Sequence, residues 1–153
     1  MVNFDVPDAL DFELLRENLS AFKRGESTAL PQYDFTTHQR HTPTEPRNPR
    51  RLIIVEGILL LTQPQLRESF DYSLYMHCDM DMRLSRRLER DTTQRGRTRE
   101  DVLRQFHEQV EPAHQNYVSP SQSHADMIID QAQYISNITN VAKAVMSLMK
   151  PAT

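Results

Sequence analysis

The sequence has little that would cross-link it covalently and nothing long enough to cross a membrane. Its one cysteine, Cys78, excludes an intrachain disulfide. Its three glycines, Gly25, Gly57 and Gly96, never fall at the G-x-x-x-x-G-K-[ST] spacing, so this sequence builds no phosphate cradle of that kind. The longest apolar run, Leu52 to Leu61, is interrupted by Glu56 and falls well short of the roughly 20 residues of a membrane helix. The start lacks the basic-then-apolar pattern of a secretory signal, which with the lone cysteine points to the cytoplasm. A formal net charge of -3 gives no global attraction for nucleic acid or acidic membranes, so neither is expected as a partner. No internal repeat and no low-complexity segment is evident.

What is present reads as one α/β domain, since 153 residues suit a single compact core better than two. Leu10, Leu14, Leu15, Leu19 and Phe22 recur at near-helical spacing over Asp8 to Lys23, with Gly25 as a stop. Glu26 to Arg50 holds Pro31, Pro43, Pro46 and Pro49, the composition of an ordered loop with short extended pieces. Leu52 to Val55 is continuously apolar and predicts a strand covered on both faces. Tyr72 to Asp79 and Ala125 to Asp130 predict two further strands. Helical patterns over Asp81 to Asp91, Thr98 to Tyr117 and Ser136 to Lys150 alternate with them, and Thr98 with Asp101 approximates a capping box. Such alternation implies a parallel sheet flanked by helices.

Three features could carry chemistry. Glu56, directly after the predicted strand, would place a carboxylate where open α/β sheets bind ligands, either as part of a magnesium shell or as a plain salt-bridge partner. Arg83, Arg86, Arg87, Arg90, Arg95, Arg97, Arg99 and Arg104 form a dense basic cluster, with Arg83, Arg87 and Arg90 on one helical face. An opposing phosphate would satisfy those guanidinium groups; a solvated face neutralised by Glu89 and Asp91 is the alternative. Gly96 between two arginines would permit a lid over residues 80–104. Tyr33, Phe35 and His38 supply aromatic faces and polar edges suited to a flat heterocycle, or equally to plugging a core. Zinc binding by His38 and His41 finds no complete ligand set.

Taken in order, Asn3-Phe4-Asp5-Val6-Pro7-Asp8, Pro31-Gln32-Tyr33-Asp34-Phe35 with His38 and Arg40, Glu56-Gly57-Ile58-Leu59, Arg86-Arg87-Leu88-Glu89-Arg90-Asp91 and Arg95-Gly96-Arg97 resemble the uridine/cytidine kinase family. The resemblance runs from Asn3 to about Ile129. It implies a P-loop kinase-like parallel sheet flanked by helices, here lacking the N-terminal phosphate-loop strand and helix, hence a single but partial kinase domain over residues 1–153. By the same resemblance, Asp5 and Arg87 would contact the ribose, Phe4 and Phe35 would wall the base, and Tyr33, His38 and Gln105 would read its edge. Arg97 would lie near the sugar, Arg90 and Arg95 would be catalytic through the transferring phosphates, and Glu56 would belong to the magnesium shell. The implied reaction is ATP- and Mg2+-dependent phosphorylation of uridine or cytidine to UMP or CMP.

The sequence departs from that family in places. Val6 stands where a histidine is usual, and Asp130-Gln131-Ala132-Gln133 stands where the family has Pro-Arg-Gly. With the phosphate-loop spacing missing as well, two expectations follow. One is a uridine kinase chain carrying the nucleoside pocket and lid, able to form a homo-oligomer. The other is a non-catalytic nucleoside-binding or regulatory protein that pairs with a full-length kinase.

Overall fold

The computed structural model describes residues 3–34, 39–41 and 46–148, and the chain divides into two compact units. One unit joins the chain up to Leu10 with the chain from Ile58 onward; the other is Asp11–Gly57.

The second unit is built on helix α1, Phe12–Lys23. Asp11 caps it, its carboxylate accepting from the Leu14 amide at 3.0 Å, and Gly25 ends it at φ 79°, a left-handed angle that favours glycine. The predicted helix over Asp8 to Lys23 is thus split, with Pro7–Ala9 forming a separate 3-10 turn. The proline-rich stretch contains the expected short extended pieces: β1, Gln32–Asp34, pairs antiparallel with β2, Gln39–His41, and Thr28 bridges to Arg47. Leu52 to Val55, in contrast, forms no strand among the described residues. Leu52, Ile53 and Ile54 are exposed, Ile54 to 83%. β-Branched residues favour strands because they pack on a pleated surface beside paired neighbours, and this run has no such ladder to join.

The first unit contains the core. Among the described residues, Leu59, Leu61, Leu66, Tyr75, Val102, Phe106, Ala113, Val118 and Ile129 are buried here, whereas Leu19 is the buried apolar residue of the other unit. A short helix α2, Pro64–Arg67, leads to β3, Leu74–His77. Helix α3, Met80–Gln94, and helix α4, Arg99–Gln105, then carry the chain over to β4, Met127–Asp130, which pairs parallel to β3 with Tyr75 opposite Ile128. The two strands lie inside the stretches expected from sequence. Their register is held by Asp126, whose carboxylate accepts from the Ser73 amide and hydroxyl at 2.7 Å each.

Thr98 caps α4 as expected, its hydroxyl accepting from the Asp101 amide at 3.2 Å. The helical path continues beyond α4 through wide π turns at Phe106–Val110 and His114–Val118. Pro112 and Pro120 each stand two residues past the end of one of them. A helical proline lacks the N–H and pushes away the carbonyl four residues back, and a widened turn accommodates both effects. Helix α5, Tyr134–Leu148, closes the described chain; Met149 and Lys150 of its expected span lie outside the described residues.

Candidate functional site

The predicted site residues of the first unit gather around one carboxylate. Asp91, three residues from the end of α3, is fully buried. Its Oδ1 accepts from Arg90 Nε at 2.8 Å and lies 3.4 Å from Arg95 Nη1. Its Oδ2 faces Arg87 Nε at 3.6 Å and Arg97 Nη1 at 3.9 Å. Both Oδ2 and Arg87 Nε are buried without a hydrogen-bond partner. Burial alone would raise the Asp91 pKa; the Arg90 hydrogen bond and the fields of Arg90, Arg87 and Arg95 outweigh it and lower the value below the ordinary aspartate range.

Local sequence explains this convergence. Arg87, Asp91 and Arg95 stand four residues apart on the helical path, so their side chains meet on one face. Gly96 then turns at φ 61°, and the Arg97 amide donates to the Asp91 carbonyl at 3.1 Å, which brings Arg97 back toward the helix. Open space surrounds the position a Gly96 Cβ would occupy, so the backbone angle, and not crowding, calls for glycine there. Asp91 was legible in sequence only as a neutraliser; the four-residue spacing of opposite charges was the signal for more.

From α4, Gln105 reaches the same cluster. Its Oε1 accepts from Arg87 Nη2 at 3.1 Å and also from Arg97. Asp5 lies close enough for its charge to act on Arg87, and its amide donates to Asn3 Oδ1 at 2.9 Å. Burial pulls the Arg87 pKa down, with Arg90 and Arg97 adding to it, against opposing fields from Asp91 and Asp5. An arginine stays charged under any such shift. The unit therefore brings Asp5, Arg87, Arg90, Arg95, Arg97 and Gln105 together, and Phe4, next to Asp5 in the chain, is half-exposed.

Arg83 leaves the predicted three-cation face. It pairs with Glu111 at 2.9 Å, donates to the Cys78 carbonyl at 3.1 Å and lies over the Phe106 ring at 5.9 Å. Arg104 pairs on the surface with Asp101 at 3.0 Å. Both serve the fold.

The remaining predicted residues belong to the other unit. Tyr33 is exposed on β1, and Arg40 pairs with Asp11 at 3.0 Å. Glu56 is exposed in a segment that is not a strand, so the expected strand-end placement does not hold. No group of three or more metal-ligating side chains occurs among the described residues. Phe35 and His38 lie outside the described residues. Among the described residues, no helix is long and apolar enough to cross a membrane.

The first unit is thus an α/β arrangement in which the buried Asp91 carboxylate is ringed by four guanidinium groups. Residues 1–136 match the profile of the phosphoribulokinase / uridine kinase family, and the chain belongs to that family. It is similar to the uridine kinase of Vibrio campbellii, at 43% identity over 83% of this chain and 60% of that protein. The uridine kinase of Shewanella amazonensis is 40% identical over 93% of this chain and 67% of that protein. The corresponding figures for the Aeromonas hydrophila uridine kinase are 44%, 83% and 59%. The chain thus spans about 60% of the length of the curated relatives it matches.

Proposed function

We propose that this chain carries the acceptor side of a uridine/cytidine kinase, the part that holds the nucleoside and gathers arginines where phosphate charge develops. The observation that supports the reading most is the convergence of Arg87 and Arg97 on Gln105 beside Asp5. In this reading Asp5 accepts hydrogen bonds from the ribose hydroxyls, Arg87 and Arg97 donate near the sugar, and Gln105 reads the base while holding both arginines. Phe4 offers a wall for the pyrimidine; by the family resemblance Phe35 would be a second wall, and Tyr33 and His38 would read the base edge. Arg90 and Arg95, whose side chains are 44% and 57% exposed, retain donors for a transferring phosphoryl group.

The reaction proposed for the complete enzyme is transfer of the ATP γ-phosphoryl group to the nucleoside 5′-hydroxyl, in which ATP with Mg2+ supplies the activated phosphoryl. The residues described here do not by themselves fit those two groups. The sequence has no glycine spacing for a triphosphate cradle, and Glu56 offers a single exposed carboxylate. Residues 80–104 are proposed as the lid of the acceptor site, because they carry Arg87, Arg90, Arg95 and Arg97 and the Gly96 turn.

Asp130-Gln131-Ala132-Gln133, standing where the resembled family has Pro-Arg-Gly, favours a second reading, a nucleoside-binding partner that pairs with a full-length kinase without catalysing transfer itself. Calorimetric titration of the purified chain with uridine, cytidine and adenosine tests what both readings share. Binding of the pyrimidine nucleosides in preference to adenosine is expected, and no preference overturns the acceptor-site assignment. Adding a full-length uridine kinase and measuring UMP formation separates them: altered turnover of that enzyme favours the regulatory reading.

A further inference from the structure

The two oxygens of Asp91 divide its four arginines into two pairs. Oδ1 meets Arg90 and Arg95, whose side chains are 44% and 57% exposed, and Oδ2 faces Arg87 and Arg97, at 19% and 26%. The exposed pair is the one assigned above to the phosphoryl group, and the more buried pair is the one assigned to the nucleoside. One carboxylate with no exposed surface thus lies between two functional sets, and no other carboxylate pairs with any of these arginines among the ion pairs of the described residues.

Four guanidinium groups this close repel one another, and without a central anion they would splay into solvent, where long side chains regain rotamer freedom. The contact on the nucleoside side is loose, since Oδ2 and Arg87 Nε are both buried and neither has a hydrogen-bond partner. Burying a carboxylate without satisfying one of its oxygens is costly, so the arrangement is poor as a device for stability alone.

We propose that Asp91 is the positioning residue of the arginine cluster: its carboxylate holds Arg87 and Arg97 in place for the nucleoside with one oxygen, and Arg90 and Arg95 for the phosphoryl group with the other. The effect on uridine rests on the acceptor-site reading; the effect on arginine order does not. Asp91 itself touches no substrate in this scheme and acts through the guanidinium groups.

The test compares the full chain with Asp91→Asn, which keeps the shape and removes the charge. In nitrogen-15 spectra the Nε–H signals of Arg87, Arg90, Arg95 and Arg97 are expected to be individually resolved in the parent chain and to collapse toward the free-arginine position in Asp91→Asn, while backbone amides of β3 and β4 stay put. Uridine affinity is expected to fall about tenfold, the scale of one hydrogen bond to a charged group. Combined with Arg97→Met, the two losses should fall short of multiplying, since part of the Asp91 effect passes through Arg97. Unchanged arginine signals, or multiplying losses, overturn the proposal. If Asp91→Asn does not fold, Asp91→Glu carries the test: it keeps the charge but displaces the carboxylate, so shifted arginine signals are expected and parent-like signals overturn the idea. If the parent chain binds no uridine, the acceptor-site reading fails, and the arginine signals still decide the role of Asp91.

Discussion

Arg87 Nη2 donates to Gln105 Oε1 at 3.1 Å, joining α3 to α4 across eighteen residues of sequence. The same oxygen accepts from Arg97, so one amide orients two guanidinium groups. Gln105→Leu keeps the side chain's bulk and removes the acceptor. It should weaken uridine binding by about tenfold, or roughly 1.4 kcal/mol, by removing the acceptor that orients both arginines. Calorimetry on the variant checks this, and parent-like affinity removes Gln105 from the site.

Asp5 is expected to matter for a different reason, because its carboxylate would accept directly from ribose hydroxyls. Asp5→Ala should cost about 1.5–3 kcal/mol of uridine binding, the scale of hydrogen bonds to a charged group. Discrimination between ribose and 2′-deoxyribose should shrink in the variant. A titration with uridine and deoxyuridine reads both effects, and an unchanged ribose preference contradicts the assignment.

A polypeptide of this sequence should bind nucleoside without appreciable turnover of its own. Its three glycines cannot form the backbone cradle that holds a triphosphate, and arginines do not reproduce that geometry. A coupled assay with ATP, magnesium and uridine measures this directly. Turnover near about one per second, ordinary for an enzyme, would show the expectation to be wrong.

Stability should fall as pH drops below neutrality because of His114. Its ring Nδ1 is buried without a hydrogen-bond partner. Burial, followed by the nearby charge of Arg83 and that of His77, lowers its pKa below the ordinary 6.5, against an opposing pull from Glu111. In the unfolded chain the ring takes up its proton near pH 6.5, whereas in the folded chain it resists until lower pH. The unfolded state therefore binds more protons in that window, and stability is complete above it and declines on acidification through it. Urea unfolding between about pH 7.5 and 5.5 should show the decline, and His114→Phe should flatten it.

The chain should self-associate as its concentration rises. Among the described residues, β3 and β4 form a two-stranded parallel sheet whose Leu74, Met76 and Ile128 are exposed, Ile128 to 54%. Paired strands with open outer edges and uncovered apolar side chains are templates for association. Light scattering on the parent chain and on Ile128→Lys tests this. A monodisperse monomer at all concentrations would mean that these edges are protected.

Much of this molecule was fixed by local sequence. Helices α1, α3 and α5 follow from apolar residues recurring every three or four positions, and the Thr98 cap follows from a hydroxyl three residues ahead of Asp101. The strands within Tyr72 to Asp79 and Ala125 to Asp130 were equally legible, as was the family through its ordered motifs. These features depend on neighbours within about one turn or one strand, and such neighbours are written in the chain itself. Tertiary structure alone decided the rest. Leu52 to Val55 has strand composition but joins no ladder among the described residues, because pairing partners come from elsewhere in a fold. Arg83 shares a face with Arg87 and Arg90, yet it turns to Glu111 and Phe106, which α3's own sequence does not contain. The partner of a long charged side chain is set by whichever opposite charge and buried surface the packing brings within reach, and that choice was made between helices.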